Sequence, residues 1–217
     1  LTADSTLESD WLVLLLWLYP PKDGRWVPPD ADKVARAVRA ILAKQNDDGG
    51  FHIFAAGPSD LSASVKAYFA LKLAGLAVDD GRMVRLRELI LAMGGIQSAN
   101  SYVKINMALF GLYPREHVPS VPPEMMLVPG NALYEMSSWT RAIVVPLSIV
   151  QSATTGAPRP VPAWFTLQEL FRSDVEVSFH RAEQFFSWKS LFLLGDNVGK
   201  WLERSGVSAG LRAKAIG

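Results

Sequence analysis

Hydrophobic positions along this chain alternate between two kinds of helical pattern. Residues from Ser5 or Thr6, either of which can cap a helix, to about Tyr19 are apolar nearly all round, with "WLVLLLWL" at the centre and Pro20-Pro21 as the stop. The next segment, "PPDADKVARAVRAILAKQ", is one-faced. Val34, Val38, Ile41, Leu42 and Gln45 share a stripe, the basic residues lie elsewhere, and Asp30 is the expected N-cap. "DLSASVKAYFALKLAG" is again mostly apolar and closes at Gly75. "DDGRMVRLRELILAMGG" is amphipathic, with Met83, Leu86, Ile90 and Met93 in a row and three arginines off it. "ANSYVKINMALFG" and "SSWTRAIVVPLSIVQ" are further apolar helices, the second with Pro146 as a kink point.

Helices apolar all round sit inside a fold and one-faced helices sit outside. The two Gly-Gly breaks, Gly49-Gly50 and Gly94-Gly95, are 45 residues apart, a period typical of stacked helical hairpins. Such hairpins form an open solenoid or close into a ring; because the inner helices are too apolar to line a wet concave groove, the expected fold is all-α, an α/α ring of inner and outer helices. Its expected organisation is a ring domain over residues 1–155 and a connecting helical segment over 156–217. Within the latter, "LQELFRS" reads as a short helix, and "RAEQFFSWKSLFLLGDNVGKWLERSG" as a longer one exposing Phe185, Phe186 and Trp188. "GLYPREHVPSVPPEMMLVPGNALYEM" carries five prolines and cannot be continuous helix. A long irregular segment of that kind is often functional.

Composition narrows the choice. The 217 residues are 49% hydrophobic, carry a formal net charge of +1 and contain no cysteine. Nucleic acid is not an expected partner, and disulfides, thiolate chemistry and Cys-based zinc sites are excluded. The longest apolar run falls far short of the roughly 20 residues that span a bilayer. It lacks the flanks of a signal peptide, so no signal peptide is seen. His52, His117 and His180 have no ligand spacing, and no Gly-rich phosphate loop ends in Lys-Ser/Thr. Neither a metal nor another cofactor is expected.

Several stretches together carry a resemblance. "GPSDLSASVKAYFALKLAG", "ILAMGGIQSANSYVKINMALFG", "VPSVPPEMMLVPG", "SSWTRAIVVPLSIV" and "EQFFSWKSLFLL" with "KWLERS" make the sequence similar to the squalene–hopene cyclases, class II triterpene cyclases. "QNDDGGF" then resembles the family's repeated Q-x-x-x-G-x-W motif, with Gln45, Gly49, Gly50 and Phe51 in its places and Phe51 standing where the family has tryptophan. A glycine there can take a positive φ and close the helix, and the Gln45 amide can meet open carbonyls at the helix end.

The resemblance implies a two-domain protein with a large apolar cavity between helical rings, this chain supplying the second ring and the link toward the catalytic one. Squalene cyclisation needs a strong Brønsted acid and a dry pocket whose aromatic faces stabilise carbocations. The family's acid lies in a D-x-D-D motif, and no D-x-D-D occurs here. Asp47-Asp48, Asp79-Asp80 and Asp30 read as caps and loop acids. The D-D-x-x-D of class I terpene synthases is absent too. The parent protein is thus expected to be an isomerase of triterpenoid and hopanoid biosynthesis, turning squalene into hopene or hopanol. This chain is expected to be a fragment, inactive alone, with no catalytic residue of its own.

By the same resemblance, Trp139 corresponds to a cavity tryptophan, though an ordinary core aromatic would look the same in sequence. Asp10 falls where the family often has a glutamate near the acid end of the cavity, and a first-turn acid favoured by the helix dipole reads equally well. Tyr102 lies at a position near the cavity, with core packing as the other reading. Met136 and Val144 fall beside the substrate access channel, or simply pack. The implied partners are squalene or a similar polyprenoid, the cytoplasmic face of a bacterial membrane that the parent protein would enter from one side, and a second copy in a homodimer. A non-catalytic hydrophobic-ligand-binding or scaffold module of helical repeats is the alternative.

Overall fold

The structure is a computed structural model that describes residues 4–119, 123, 137–154 and 157–174; of Trp139 and Thr140 it describes the backbone alone. Among these residues it is all-helical, with six α-helices and no strand. The helices are α1 (Thr6–Leu18), α2 (Ala31–Leu42), α3 (Leu61–Leu73), α4 (Gly81–Ala92), α5 (Ser101–Leu109) and α6 (Ser138–Ala153). The chain divides into two compact units, Leu1–Arg115 with Arg159–Val177, and Glu116–Pro158 with Ser178–Gly217.

Short polar side chains start the helices. Asp30, Asp60 and Asn100 accept hydrogen bonds from the amides of Lys33, Ala63 and Val103 at 2.9, 2.8 and 3.0 Å. Asp80 accepts from Arg82 N at 2.9 Å. These bonds satisfy amides that would otherwise be open, each stabilising its helix by about 1 kcal/mol. In α1 the expected capping residues do not provide the bond. Ser5 occupies the cap position in a helical conformation, and Asp4 Oδ1 accepts from Thr6 N at 2.9 Å instead.

In the first unit α3 is the hub. It packs against α1, α2, α4, α5 and the short 3-10 turn Ile96–Ser98. Eleven of its thirteen residues are buried, as its all-round apolar pattern predicts. Tyr68 and Phe69 are fully enclosed. Phe69 meets Phe165 edge-on at 4.9 Å and Phe110 at 6.0 Å, contacts worth about 1 kcal/mol each beyond area burial. The amphipathic helices lay their stripes inward, α2 with Val34, Ala37 and Ile41 and α4 with Met83, Leu86 and Ile90, while Met93 at the end of its row is 37% exposed. Helix α1 departs from the expected enclosure. Leu12, Leu15 and Leu16 are buried, but Leu7, Leu14 and Leu18 on its other side are 65%, 50% and 56% exposed.

Three helices end alike. Gly75, Gly94 and Gly111 take φ of 93°, 105° and 71°. Each donates its amide to the carbonyl three residues earlier (Lys72, Leu91 and Ala108), and the next residue donates to the carbonyl five residues earlier. This is a Schellman closure, and the left-handed φ is why glycine stands there. The expectation that Gly49 or Gly50 closes α2 in the same way is not met. Helix α2 ends at Leu42, and Gly49, with φ of 89°, belongs to a separate turn beyond it.

After Arg159 the chain returns to the first unit as a mostly extended strap. Its expected helix shrinks to the 3-10 turn Gln168–Leu170. Pro160 and Pro162 precede it, and its side chains are committed to partners on the helical core. In the second unit, α6 contains Pro146, as its sequence suggests; Ser148 and Ser152 donate hydroxyl hydrogen bonds to carbonyls three residues back, at 2.7 and 2.8 Å. The predicted helix over 181–206, and Phe185, Phe186 and Trp188 within it, lie outside the described residues.

Candidate functional site

The Gln45–Phe51 loop is a joint of three segments. Gln45 and Phe51 form an antiparallel β-bridge, and Asn46 N donates to Gly50 O at 2.9 Å. Gln45 Nε2 donates to Gly49 O at 2.8 Å and to Arg82 O, in the first turn of α4, at 3.2 Å. Asp48 Oδ1 accepts from Gly50 N at 2.9 Å and from Ser59 Oγ at 2.7 Å. Phe51 is fully buried, and its amide donates to Ser64 Oγ on α3 at 3.1 Å. A side chain at Gly50 would stand 2.4 Å from Leu89 and Ser59, and one at Gly49 would stand 2.8 Å from Arg85. These two glycines exist for close approach to α4 as well as for the turn. The joint ties the end of α2 to α3 and α4, with Phe51 as its apolar anchor.

Asp10 lies in α1 facing α3. Its Oδ2 pairs with Lys66 Nζ at 2.8 Å, and its Oδ1 is buried with no hydrogen-bond partner among the described residues. A neighbouring pair joins Glu8 to Lys44 at 2.6 Å, the same ammonium donating to Asp4 O at 2.9 Å. These carboxylates are charge-paired links between α1 and its neighbours. Tyr102, on α5, is 52% exposed, so it is not a core side chain of the first unit. It shares no hydrogen bond with Asp10.

The remaining sequence candidates belong to the second unit. Val144 is half-buried in α6. The backbone of Trp139 lies in the first turn of that helix, its side chain outside the described residues, and Met136 lies outside them altogether. Asp30, Asp48 and Asp80 accept backbone amide hydrogen bonds, as the reading of caps and loop acids expects. His52 Nδ1 lies 2.7 Å from Asn46 Oδ1. Among the described residues no three metal-ligating side chains gather.

One cluster was not legible beforehand. Lys72, on α3, is only 6% exposed. Its ammonium meets the Glu169 carboxylate, donates to Thr166 O at 2.6 Å and lies 5.7 Å above the Phe165 ring. Tyr68 Oη donates to the same Glu169 oxygen at 3.0 Å. Burial, then the Glu169 charge, raises the Tyr68 phenol above its ordinary range, so it remains a neutral donor. Burial pushes the Glu169 carboxyl up, but hydrogen bonds from Lys72, its own backbone and Tyr68, with the Lys72 charge, leave it below its ordinary value. A lysine in an apolar helix is the one sequence signal that points here; its partner lies 97 residues away.

Comparison with known proteins places this chain among relatives. The family described as Squalene-hopene cyclase N-terminal domain matches residues 1–217. A squalene–hopene cyclase of Zymomonas mobilis is 36% identical over 100% of this chain and 32% of its own length. One from Alicyclobacillus acidocaldarius is 39% identical over 67% of this chain and 23% of its own length. A dammaradiene synthase of Dryopteris crassirhizoma is 29% identical over 81% of the chain and 26% of its own length. The chain thus spans a third or less of these relatives.

Proposed function

The chain belongs to the squalene–hopene cyclase family, and we propose that it builds part of the wall of a polyprenoid cyclisation cavity whose proton donor lies outside these 217 residues. The observation that carries this is the coincidence of a family match along the whole chain with a sequence that holds no D-x-D-D. The structure is consistent with it. Within the first unit, Asp10 and Glu8 are held in ion pairs with Lys66 and Lys44, as links between α1 and its neighbours.

In this reading Trp139 presents an aromatic face to developing cations, Asp10 lies near the acid end of the cavity, Tyr102 lies near the cavity, and Met136 and Val144 flank its access channel. The substrate is squalene or a similar polyprenoid. Such a hydrocarbon partitions into lipid, which favours a parent protein seated on a membrane; the reading places it on the cytoplasmic face, as one copy of a homodimer. No helix among the described residues is long and apolar enough to cross a bilayer.

The test joins these 217 residues in frame to the remaining two thirds of the Zymomonas mobilis relative and measures conversion of squalene in detergent by mass spectrometry. The chimera is expected to form polycyclic product, Trp139→Ala to lower the yield or shift the products, and Trp139→Phe to retain them. The chain alone is expected to form none. Product from the chain alone would place an acid within it. A folded chimera indifferent to Trp139→Ala would remove the wall role.

A further inference from the structure

The chain leaves the first unit at Arg115 and returns at Arg159, and the return is pinned beside the departure. Arg159 N donates to Leu109 O, at the end of α5, at 2.8 Å. From there the strap crosses most of the first unit and is fastened at every crossing. The Arg159 guanidinium lies 4.7 Å above the Trp17 ring and donates to Trp17 O at 2.7 Å. Ala163 N donates to Gly24 O at 3.1 Å. Phe165, Leu167 and Leu170 are buried. Lys72 and Tyr68 hold Thr166 and Glu169. At the far end Gln97 and Arg172 exchange hydrogen bonds of 2.7 and 3.2 Å, and Arg172 Nη1 donates to Leu91 O at 3.2 Å.

We propose that residues 159–172 are a clasp, keyed by Lys72, Glu169 and Tyr68, that holds the first unit closed without help from the covalent excursion over 116–158. Two observations carry this. The return at Arg159 is hydrogen-bonded to Leu109, which lies shortly before the departure at Arg115, and closely spaced ends are the geometry that lets an inserted segment vary while its host stays folded. Among the described residues the strap's fastenings lie on α1, α3, α4, the end of α5, the Gly24 turn and the 96–98 turn, all of them in the first unit. Lys72 is the key because it is nearly enclosed. If the strap lifts, a buried ammonium loses its counter-ion, a carbonyl acceptor and an aromatic face together, so the clasp opens as one event. The charged groups facing Glu169 are Lys72 and, through Tyr68, Arg87 of α4.

The experiment places a specific protease site between residues 124 and 136 of the 217-residue chain, cuts it, and follows two readouts. In the first, the cut halves are passed over a sizing column at micromolar concentration. In the second, hydrogen exchange is measured in the uncut chain. The halves are expected to co-elute, and amides of the strap to exchange as slowly as those of α3. Lys72→Met and Glu169→Gln are expected to speed exchange at 159–172 at least tenfold while α2 is unchanged, and to let the cut halves separate. Tyr68→Phe, which deletes one hydrogen bond and keeps the ring, is expected to give a smaller rise and serves if the other variants fail to fold. Strap amides that exchange freely in the parent chain, cut halves that separate without any substitution, or a strap whose exchange Tyr68→Phe and the foldable ion-pair variants leave unchanged would each overturn the proposal.

Discussion

Gly94 and Gly95 terminate a helix, with their amides on Leu91 O and Ile90 O, whereas Gly49 and Gly50 stand several residues beyond the end of one. Both pairs are followed by a buried apolar residue, Ile96 and Phe51, and both have a glutamine nearby whose amide reaches a distant backbone carbonyl. The order is inverted. Gln45 precedes its glycines and reaches Arg82 of the neighbouring helix; Gln97 follows its glycines and reaches Arg172 of the returning strap. The first joint links two consecutive hairpins. The second fastens a segment 75 residues away. A spacing of 45 residues therefore marks two places where the chain turns inward, and tertiary contacts decide what each place holds.

Four substitution or titration experiments separate the joints, beginning with the largest effect. Phe51→Ala empties a fully enclosed site and is expected to cost about 4 kcal/mol in urea unfolding, because the α2–α3–α4 joint has no other aromatic anchor in its loop. An effect below about 1 kcal/mol would mean that the loop collapses onto the space. Gly50→Ala is expected to cost about 2 kcal/mol by driving a methyl into Ser59 and Leu89. Gly75→Ala, with φ of 93° but nothing near, is expected to cost about 1 kcal/mol from backbone strain alone. Equal costs would show that crowding at the first joint is relieved by neighbours.

Next come the glutamines. Gln97→Leu is expected to cost about 1.5 kcal/mol and to raise exchange in the strap, since it deletes both a donor and an acceptor to Arg172. Gln45→Leu is expected to cost about 1 kcal/mol and to leave the strap untouched. Strap exchange that responds equally to both would erase the distinction between the joints.

The smallest effect is a pH dependence confined to the second joint's strap. Glu169 has a native carboxyl below its ordinary 4.5, so its contribution is fully present above that value and is lost as pH falls through the lowered native one. Strap protection is expected to fade in acid before that of the Gln45–Phe51 loop. Glu169→Gln is expected to flatten that dependence; a strap that fades unchanged in this variant would assign the loss to another group.

Much of this was legible in the residues themselves, for reasons that are local. An Asp or Asn before an apolar-periodic run caps a helix because its side chain reaches an open amide within three residues, which is why Asp30, Asp60 and Asn100 can be read directly. Glycine at 75, 94 and 111 marks helix ends because few other residues accept that backbone. The all-round apolar pattern of α3 dictates its burial, and family motifs spread along the chain carry the kinship. What the sequence could not determine alone depends on contacts between distant residues. Helix α1 has nearly the same composition on both sides, so only packing decides that Leu12 and Leu16 are enclosed while Leu7 and Leu18 face outward. Lys72 reads as a solubilising charge until the strap brings Glu169 to it. Local pattern specifies where a helix starts, stops and turns its apolar side; the energy of a buried charge or a crowded glycine exists only once a remote segment has arrived beside it.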